Sequence, residues 1–366
     1  MKYFNNLDSL RGLAALNVAC FHFSCLISSP HNPINNWFIQ MVSLNFQGGE
    51  LGVNFFFILS GFLITYLLIN EKNKTGKLSI TYFYLRRLLR VWPLFFLTLI
   101  LGFYIFPCIK QLYISAPAHE VASPWLYFLF LANYDMIYNS FPNSPVLGTH
   151  WSVSIEEQFY LLWPLLFLKG NYKHWIISLC TIFLFSELYF ISSDYNTRYF
   201  HSISCFRLLS FGGIMAVLCY YYSNYVTTIF KKLPNYFNGI VYLLILGIIF
   251  FKEELLTGIF HYDFIIDLLF TLMFGFIITD QCFNENGIIR FGKYKILKFL
   301  GKISYSFYLL HMCVFYVLNE FTFFQIKANY FFNFGLSLLF TFLLSTISFY
   351  YIESYFLKIK NSFRII

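Results

Sequence analysis

The sequence predicts an all-α, polytopic membrane protein, a bundle of about ten transmembrane helices with both termini cytoplasmic. Three observations predict it. The 366 residues are 58% hydrophobic and 11% charged, about half the charge of a soluble domain. Apolar runs of about 17–25 residues, the length that crosses a bilayer, recur from end to end, and mean hydropathy is +0.63. The basic residues collect on one side of those runs. One membrane-embedded domain over 1–366 is expected, with no room for a separate soluble one.

The candidate spans are 8–28, 51–70, 91–108, 151–168, 174–191, 203–223, 238–252, 264–283, 303–320 and 331–357. The first, LDSLRGLAALNVACFHFSCLI, holds Arg11 and His22. A titratable side chain in a span is costly and usually faces a protein interior. Eleven residues at about 100° each return to nearly the same helix face, roughly 16 Å further along. A histidine in the apolar run and the lack of an A-x-A-like site argue against a cleaved leader.

The second span contains FFFILSGF, whose mid-span Ser60-Gly61 permits close helix contact or the approach of a substrate to the backbone. Before the third comes YFYLRRLLRVWP, in which Arg86, Arg87 and Arg90 form a cationic cluster ended by Pro93. Guanidinium forks suit phosphate groups; topology anchoring or anionic-lipid binding is the other reading.

The fourth span opens on HWSVSIEEQFYLLWP, which places His150, Trp151, Ser152, Glu156, Glu157 and Gln158 at its outer end. Glu156 and Glu157 differ by 100°, so one at most points fully into a given site. A carboxylate here can orient and charge-stabilise an imidazole or act as a base; an interfacial helix turn is the alternative, the more so for Glu157. The run 238–252 is short for a span. The ninth opens on GKISYSFYLLH, with Ser304, Tyr308 and His311 on one face and Tyr305 beside them. Such a polar stripe lines a channel or forms a helix-to-helix hydrogen-bond network.

Charge fixes the orientation. With the N-terminus inside, the segments 1–11, 70–90, 169–173, 224–236, 284–302 and 358–366 carry 2, 6, 2, 2, 5 and 3 basic residues, 20 of the 25. Lys110, Arg198, Arg207, Lys252 and Lys327 fall outside or toward the outer ends. This split requires that the apolar patch 125–139 does not span, so a re-entrant or interfacial outer-face segment is expected there.

Several function classes fall away. The net charge of +8 flanks spans, so membrane anchoring explains it and nucleic acid is not an expected partner. Eight Cys without C-x-x-C or metal-type spacing read as small buried hydrophobes, and no metal is expected. There is no P-loop, G-x-G-x-x-G, G-x-S-x-G or H-E-x-x-H. A secondary transporter or flippase of a polar or glycolipid solute remains open, since intramembrane His, Arg and Glu also mark proton relays. A membrane scaffold has no need of Arg11 and His22 on one face.

These motifs together resemble acyltransferase family three, the bacterial integral-membrane O-acetyltransferases of surface polysaccharides and other glycosylated acceptors. The resemblance covers nearly the whole chain, in its stand-alone form. It rests on Arg11-x10-His22 after LDSLRG, on FFFILSGF, on Arg86-Arg87-x-x-Arg90-x-x-Pro93, on Trp151-Ser152-Val153-x-x-Glu156 with Phe159-Tyr160, and on Gly301-x-x-Ser304-Tyr305-x-x-Tyr308-x-x-His311. Val153 stands where the family usually has Leu.

The resemblance implies transfer of an acetyl group from cytoplasmic acetyl-CoA to a carbohydrate hydroxyl near the outer face of a bacterial inner membrane. It implies Arg11, Arg86, Arg87 and Arg90 on the phosphates of CoA and Ser304 and Tyr305 beside its pantetheine arm. His22 becomes general base or transient acetyl carrier, with Glu156 supporting it. Trp151, Ser152, His150, Tyr308 and His311 become candidate acceptor contacts.

Overall fold

The computed structural model describes residues 4–27, 49–114, 120–256, 262–320 and 330–363, and all regular structure among them is helical. In chain order the helices are α1 (Asn5–Ile27), α2 (Gly49–Thr75), α3 (Ile80–Ile100), α4 (Phe106–Ile114), α5 (Pro124–Phe128) and α6 (Ala132–Tyr138). There follow α7 (His150–Leu166), α8 (Tyr172–Ser192), α9 (Tyr195–Phe200), α10 (Ser202–Tyr221), α11 (Ser223–Lys232) and α12 (Phe237–Leu256). The last are α13 (Tyr262–Phe283), α14 (Lys295–Lys302), α15 (Ser304–Glu320), α16 (Tyr330–Ser348) and α17 (Ser354–Asn361). A π turn, Leu101–Ile105, joins α3 to α4, and another, Phe349–Glu353, joins α16 to α17.

Among the described residues, six helices are long and apolar enough to cross a membrane: Leu51–Thr75, Ile80–Gln111, Tyr172–Ser192, Ser202–Tyr221, Phe264–Phe283 and Phe332–Asn361. They coincide with six of the ten expected spans. Three of the other four fall on helices that are shorter or more polar. Spans 151–168 and 303–320 lie on α7 and α15, of 17 residues each. Span 8–28 lies on α1, which carries Asp8, Arg11, Asn17 and His22; its residue 28, like Lys327, lies outside the described residues. Span 238–252 lies on α12, which together with α11 is long and apolar enough to cross but is bent from it by 91°. Pro93 does not end the arginine-bearing helix, which runs through it. The arginines therefore share a rod with the third span.

The chain forms two compact units. The first comprises Met1–Gly76, Lys169–Ser192 and Phe206–Lys302; the second comprises Lys77–Leu168, Ser193–Cys205 and Ile303–Ile366.

Lipid tails are as apolar as leucine, so hydrophobicity gives membrane helices little reason to associate and close backbone packing takes over. Glycine permits it in the first unit. A Cβ on Gly12 of α1 would lie 2.8 Å from the Gly301 nitrogen of α14, and one on Gly301 would strike the Asp8 carbonyl. The start of α1 is pinned as well: Asn6 Nδ2 donates to the Gln281 carbonyl (2.7 Å) and the Gly292 N–H donates to Asn6 Oδ1 (2.9 Å). The same logic governs Gly61. A Cβ there would lie 2.8 Å from the Leu209 carbonyl carbon of α10, and one on Gly212 would lie 2.8 Å from the Phe62 nitrogen of α2. Of the two readings of Ser60-Gly61, the structure displays helix contact.

Two buried charge clusters brace this unit. Asp280 accepts hydrogen bonds from Tyr242 OH (2.5 Å), Asn284 (2.7 Å), Gln281 (3.0 Å) and Asn238 (3.3 Å). Arg207 of α10 makes a two-pronged pair with Asp267 of α13, one prong at 2.8 Å, while Glu187 of α8 lies 3.8 Å away and the Phe190 ring covers the guanidinium.

In the second unit the patch 125–139 is not one helix. Five-residue α5 and seven-residue α6 flank a turn at Phe130, whose φ of 58° is left-handed. Neither reaches the roughly 20 residues a span needs. Gln158 of α7 holds the turn: its amide donates to the Phe130 carbonyl (2.7 Å) and to Asn133 Oδ1 (3.0 Å), and Ser202 donates back to it. Asn133 in turn donates to the Phe200 carbonyl (3.0 Å) and Ser202 Oγ (3.1 Å). The Phe130 ring then packs against Phe95 (4.5 Å) and Trp92 (5.6 Å) of α3.

Candidate functional site

The second unit gathers most of the motif residues where α3, α7, α15 and the second π turn pack together. Helix α3 starts on a Ser79 cap, whose Oγ accepts from the Tyr82 N–H. Its arginines at i, i+1 and i+4 then emerge within the first turns. Arg86 donates to the Phe363 carbonyl (2.9 Å). The Arg87 guanidinium lies over the rings of Phe83 (5.6 Å) and Tyr160 (5.5 Å). Arg90 is within electrostatic reach of Glu353.

The two glutamates of α7 face different partners, as their 100° separation requires. Glu156 accepts from Tyr160 OH (3.1 Å). Glu157 accepts from Trp92 Nε1 through Oε2 (2.9 Å), while its Oε1 is buried and accepts no hydrogen bond among the described residues. The interfacial reading of Glu157 is therefore replaced by an interior one. Glu353, on the π turn, is 7% exposed and its Oε1 is likewise buried without a hydrogen bond among the described residues. Tyr305 sits in the electrostatic neighbourhood of Glu156, Glu157 and Glu353, and its hydroxyl donates to the Val91 carbonyl (2.9 Å). Ser304 is buried at the start of α15.

Three guanidiniums, three carboxylates and a phenol thus share one region of the second unit. Formally the charges cancel, so an arriving polyanion competes with carboxylates for the arginines. The two open carboxylate oxygens, by contrast, are ready acceptors for a hydroxyl or amide N–H.

Further along α7 and α15 the polar residues are tied to each other. Ser152 Oγ and Tyr308 OH are 2.6 Å apart and both residues are buried. His311 and the Tyr308 carbonyl are 2.7 Å apart, with the Phe315 ring against the imidazole. His150 Nε2 and Thr98 Oγ1 are 3.0 Å apart, beneath Phe95 and Tyr127. Trp151 packs on Tyr199 (4.7 Å) and Phe200 (4.9 Å). Ser152 and Tyr308 thus form a helix-to-helix hydrogen bond, while the His311 contact with the Tyr308 carbonyl lies within α15.

Arg11 and His22 belong to the first unit. Helix α1 is unbroken over both, so they share a face. Arg11 is half-buried and pairs with Asp8 one turn earlier (3.3 Å). The His22 ring lies 5.1 Å from that of Phe21. Sequence reasoning passed over Glu353, Glu187, Arg207, Asp267 and Asp280. A signal was present for each: all five lie inside predicted spans, the criterion that singled out Arg11 and His22.

The family model described as "Acyltransferase domain" matches residues 4–350. A Staphylococcus aureus (strain COL) protein provisionally named an O-acetyltransferase is 28% identical over 332 residues, which are 86% of this chain and 51% of the relative. The O-acetyltransferase OatA of Staphylococcus aureus (strain NCTC 8325 / PS 47) is 32% identical over 330 residues, 85% of this chain and 50% of the relative. The chain spans about half the length of the curated relatives it matches. No solved structure matches it.

Proposed function

The chain belongs to the acyltransferase domain family, and from that premise we propose that it moves an acetyl group from acetyl-CoA to a hydroxyl of a carbohydrate acceptor. The carbohydrate is a surface polysaccharide, exopolysaccharide or glycolipid at the outer face of a bacterial inner membrane. The proposal includes ten spans and two cytoplasmic termini, supported by the one-sided placement of 20 of the 25 basic residues.

The observation that carries the reading is the gathering of Arg86, Arg87 and Arg90 with Tyr305 and open carboxylate oxygens in one unit, on motifs placed in the family's order. Three guanidiniums within five residues fit the phosphates of CoA. Glu157 Oε1 and Glu353 Oε1 fit the amide N–H groups of a pantetheine arm entering beside Ser304 and Tyr305. Arg11, close to one end of α1, is assigned to the same polyanion.

His22 is assigned the proton of the acceptor hydroxyl. Its neutral ring takes that proton as the oxygen attacks the thioester carbonyl; the C–S bond breaks and the sulfur leaves to be protonated as CoA. Glu156 is assigned the negative charge that balances an imidazolium. A variant in which His22 first carries the acetyl group uses the same residues.

Acetyl transfer in purified membranes tests the reading. His22→Ala is expected to abolish it, and wild-type acetylation by that variant would sink both forms of the mechanism. Arg86→Glu is expected to raise the KM for acetyl-CoA with a smaller change in kcat; an unchanged KM removes its phosphate role.

A further inference from the structure

A cavity of about 360 Å³ opens in the first unit between α1, α2, α12 and α13, and neither Arg11 nor His22 lines it. Its walls are Leu, Ile, Phe, Ala and Gly except for Asn17 and Tyr242. The Tyr242 hydroxyl is committed to Asp280 at 2.5 Å and accepts from Gln281 at 2.9 Å, so it offers the cavity its ring. A sugar or pantetheine arm seated here would leave most of its polar atoms buried and unpaired, which is costly. A hydrocarbon chain leaves one polar atom of the wall unanswered, Asn17 Oδ1, which accepts no hydrogen bond among the described residues. The size falls within the range of small-ligand sites, and α2 and α13 both carry segments long and apolar enough to cross a membrane. Hydrocarbon chains are the surrounding solvent.

One end of the cavity is marked by charge. Phe291, part of its wall, follows Arg290 and precedes Lys293, Lys295, Lys298 and Lys302; Glu285 is the acidic residue of this connector. Arg290 acts electrostatically on Tyr242, and its Nη1 donates to nothing among the described residues. Around these cations the connector leaves large aliphatic side chains uncovered, with Ile288 58% and Ile296 76% exposed. Helix α14, with three lysines and the exposed Ile296, has the make-up of a basic amphipathic helix that lies on an anionic membrane surface.

We infer that the cavity holds one acyl chain of an anionic glycerophospholipid, whose phosphate rests on Arg290 and the connector lysines. The inference does not depend on the acetyl-transfer reading, and its test has no activity readout.

The full chain, purified in mild detergent, is mixed with phosphatidylglycerol or phosphatidylcholine, and bound lipid is counted by native mass spectrometry. A phosphatidylglycerol with a mid-chain diazirine then maps the tail by photolabelling. Phosphatidylglycerol is expected to be the retained lipid, with labels on Leu246, Ile249 and Phe274. Leu246 lines the cavity and is 49% exposed, so Leu246→Trp adds bulk to its wall and is expected to remove those labels. Arg290→Gln is expected to lower retention about fivefold, the worth of one basic residue at an anionic surface. Ala14→Leu fills the cavity from α1 and replaces Leu246→Trp if the latter elutes aggregated. Equal retention of the two lipids overturns the headgroup assignment. Labels confined to the outward-facing Leu243 and Leu244 of α12, unchanged by either filling variant, overturn the cavity assignment.

Discussion

Replacing Gly61 by alanine separates a packing role from a substrate role, and its size follows from the seam between α2 and α10. The added Cβ would lie 2.8 Å from the Leu209 carbonyl carbon and closer still to its oxygen. Carbon–oxygen contacts between helices settle near about 3.3–3.6 Å, so the helices must part by on the order of 1 Å. The obstacle is backbone and cannot rotate aside, which puts the overpacking cost near the top of the usual range, about 3 kcal/mol. Alanine recovers about 1 kcal/mol of helix propensity. The net expectation is about 2 kcal/mol of destabilisation.

Gly212→Ala presses on the same seam from the other side, 2.8 Å from the Phe62 nitrogen, and should cost a similar amount. Because one separation relieves both clashes, the double variant should cost clearly less than the two singles added. Buried Cys205, Cys219 and Cys282 report unfolding to a thiol-reactive dye in a detergent melt. The reasoning fails if Gly61→Ala melts within about 0.5 kcal/mol of wild type yet loses acetyl transfer. The glycine would then be admitting substrate, not a helix.

Other outcomes follow from single contacts. Ser152→Ala and Tyr308→Phe each strand or remove a buried hydroxyl partner, so each should destabilise by about 1–3 kcal/mol; the double variant should fall short of the sum, with the KM for acetyl-CoA unmoved. Arg207→Met leaves Asp267 and Glu187 buried without their cation and should cost about 3–5 kcal/mol in the same melt. Adding Asp267→Leu and Glu187→Leu should restore most of that loss, and a triple variant no better than the single refutes the brace. Trp92→Phe removes the Nε1 donor to Glu157, and a drop in kcat with a near-native melt is expected if that carboxylate serves the site.

Much of the helical architecture was legible because it is one-dimensional. Apolar length needs no knowledge of neighbours. The charge count argued against a span over 125–139, and the two helices there, of five and seven residues, are too short to be one. The form of that patch was not legible, because the left-handed Phe130 depends on Gln158, 28 residues away. Likewise Pro93 reads as a helix end from local rules, while α3 runs through it.

The site was legible only in part, for a reason the charges make plain. The cost of an ionisable group inside a span selected Arg11 and His22, but the criterion applies equally to Glu187, Arg207, Asp267, Asp280 and Glu353. Burial energy states that such a residue must be compensated; it does not state by what. Asp280 is compensated by four donors of its own unit, which leaves its oxygens nothing to offer a ligand; Glu187, whose oxygens accept no hydrogen bond among the described residues, is compensated by the Arg207 charge instead. Glu157 and Glu353 each keep a buried oxygen that accepts nothing among the described residues. What separates a brace from a binding group is therefore the hydrogen-bond balance of each atom, a quantity fixed by residues far apart in the chain.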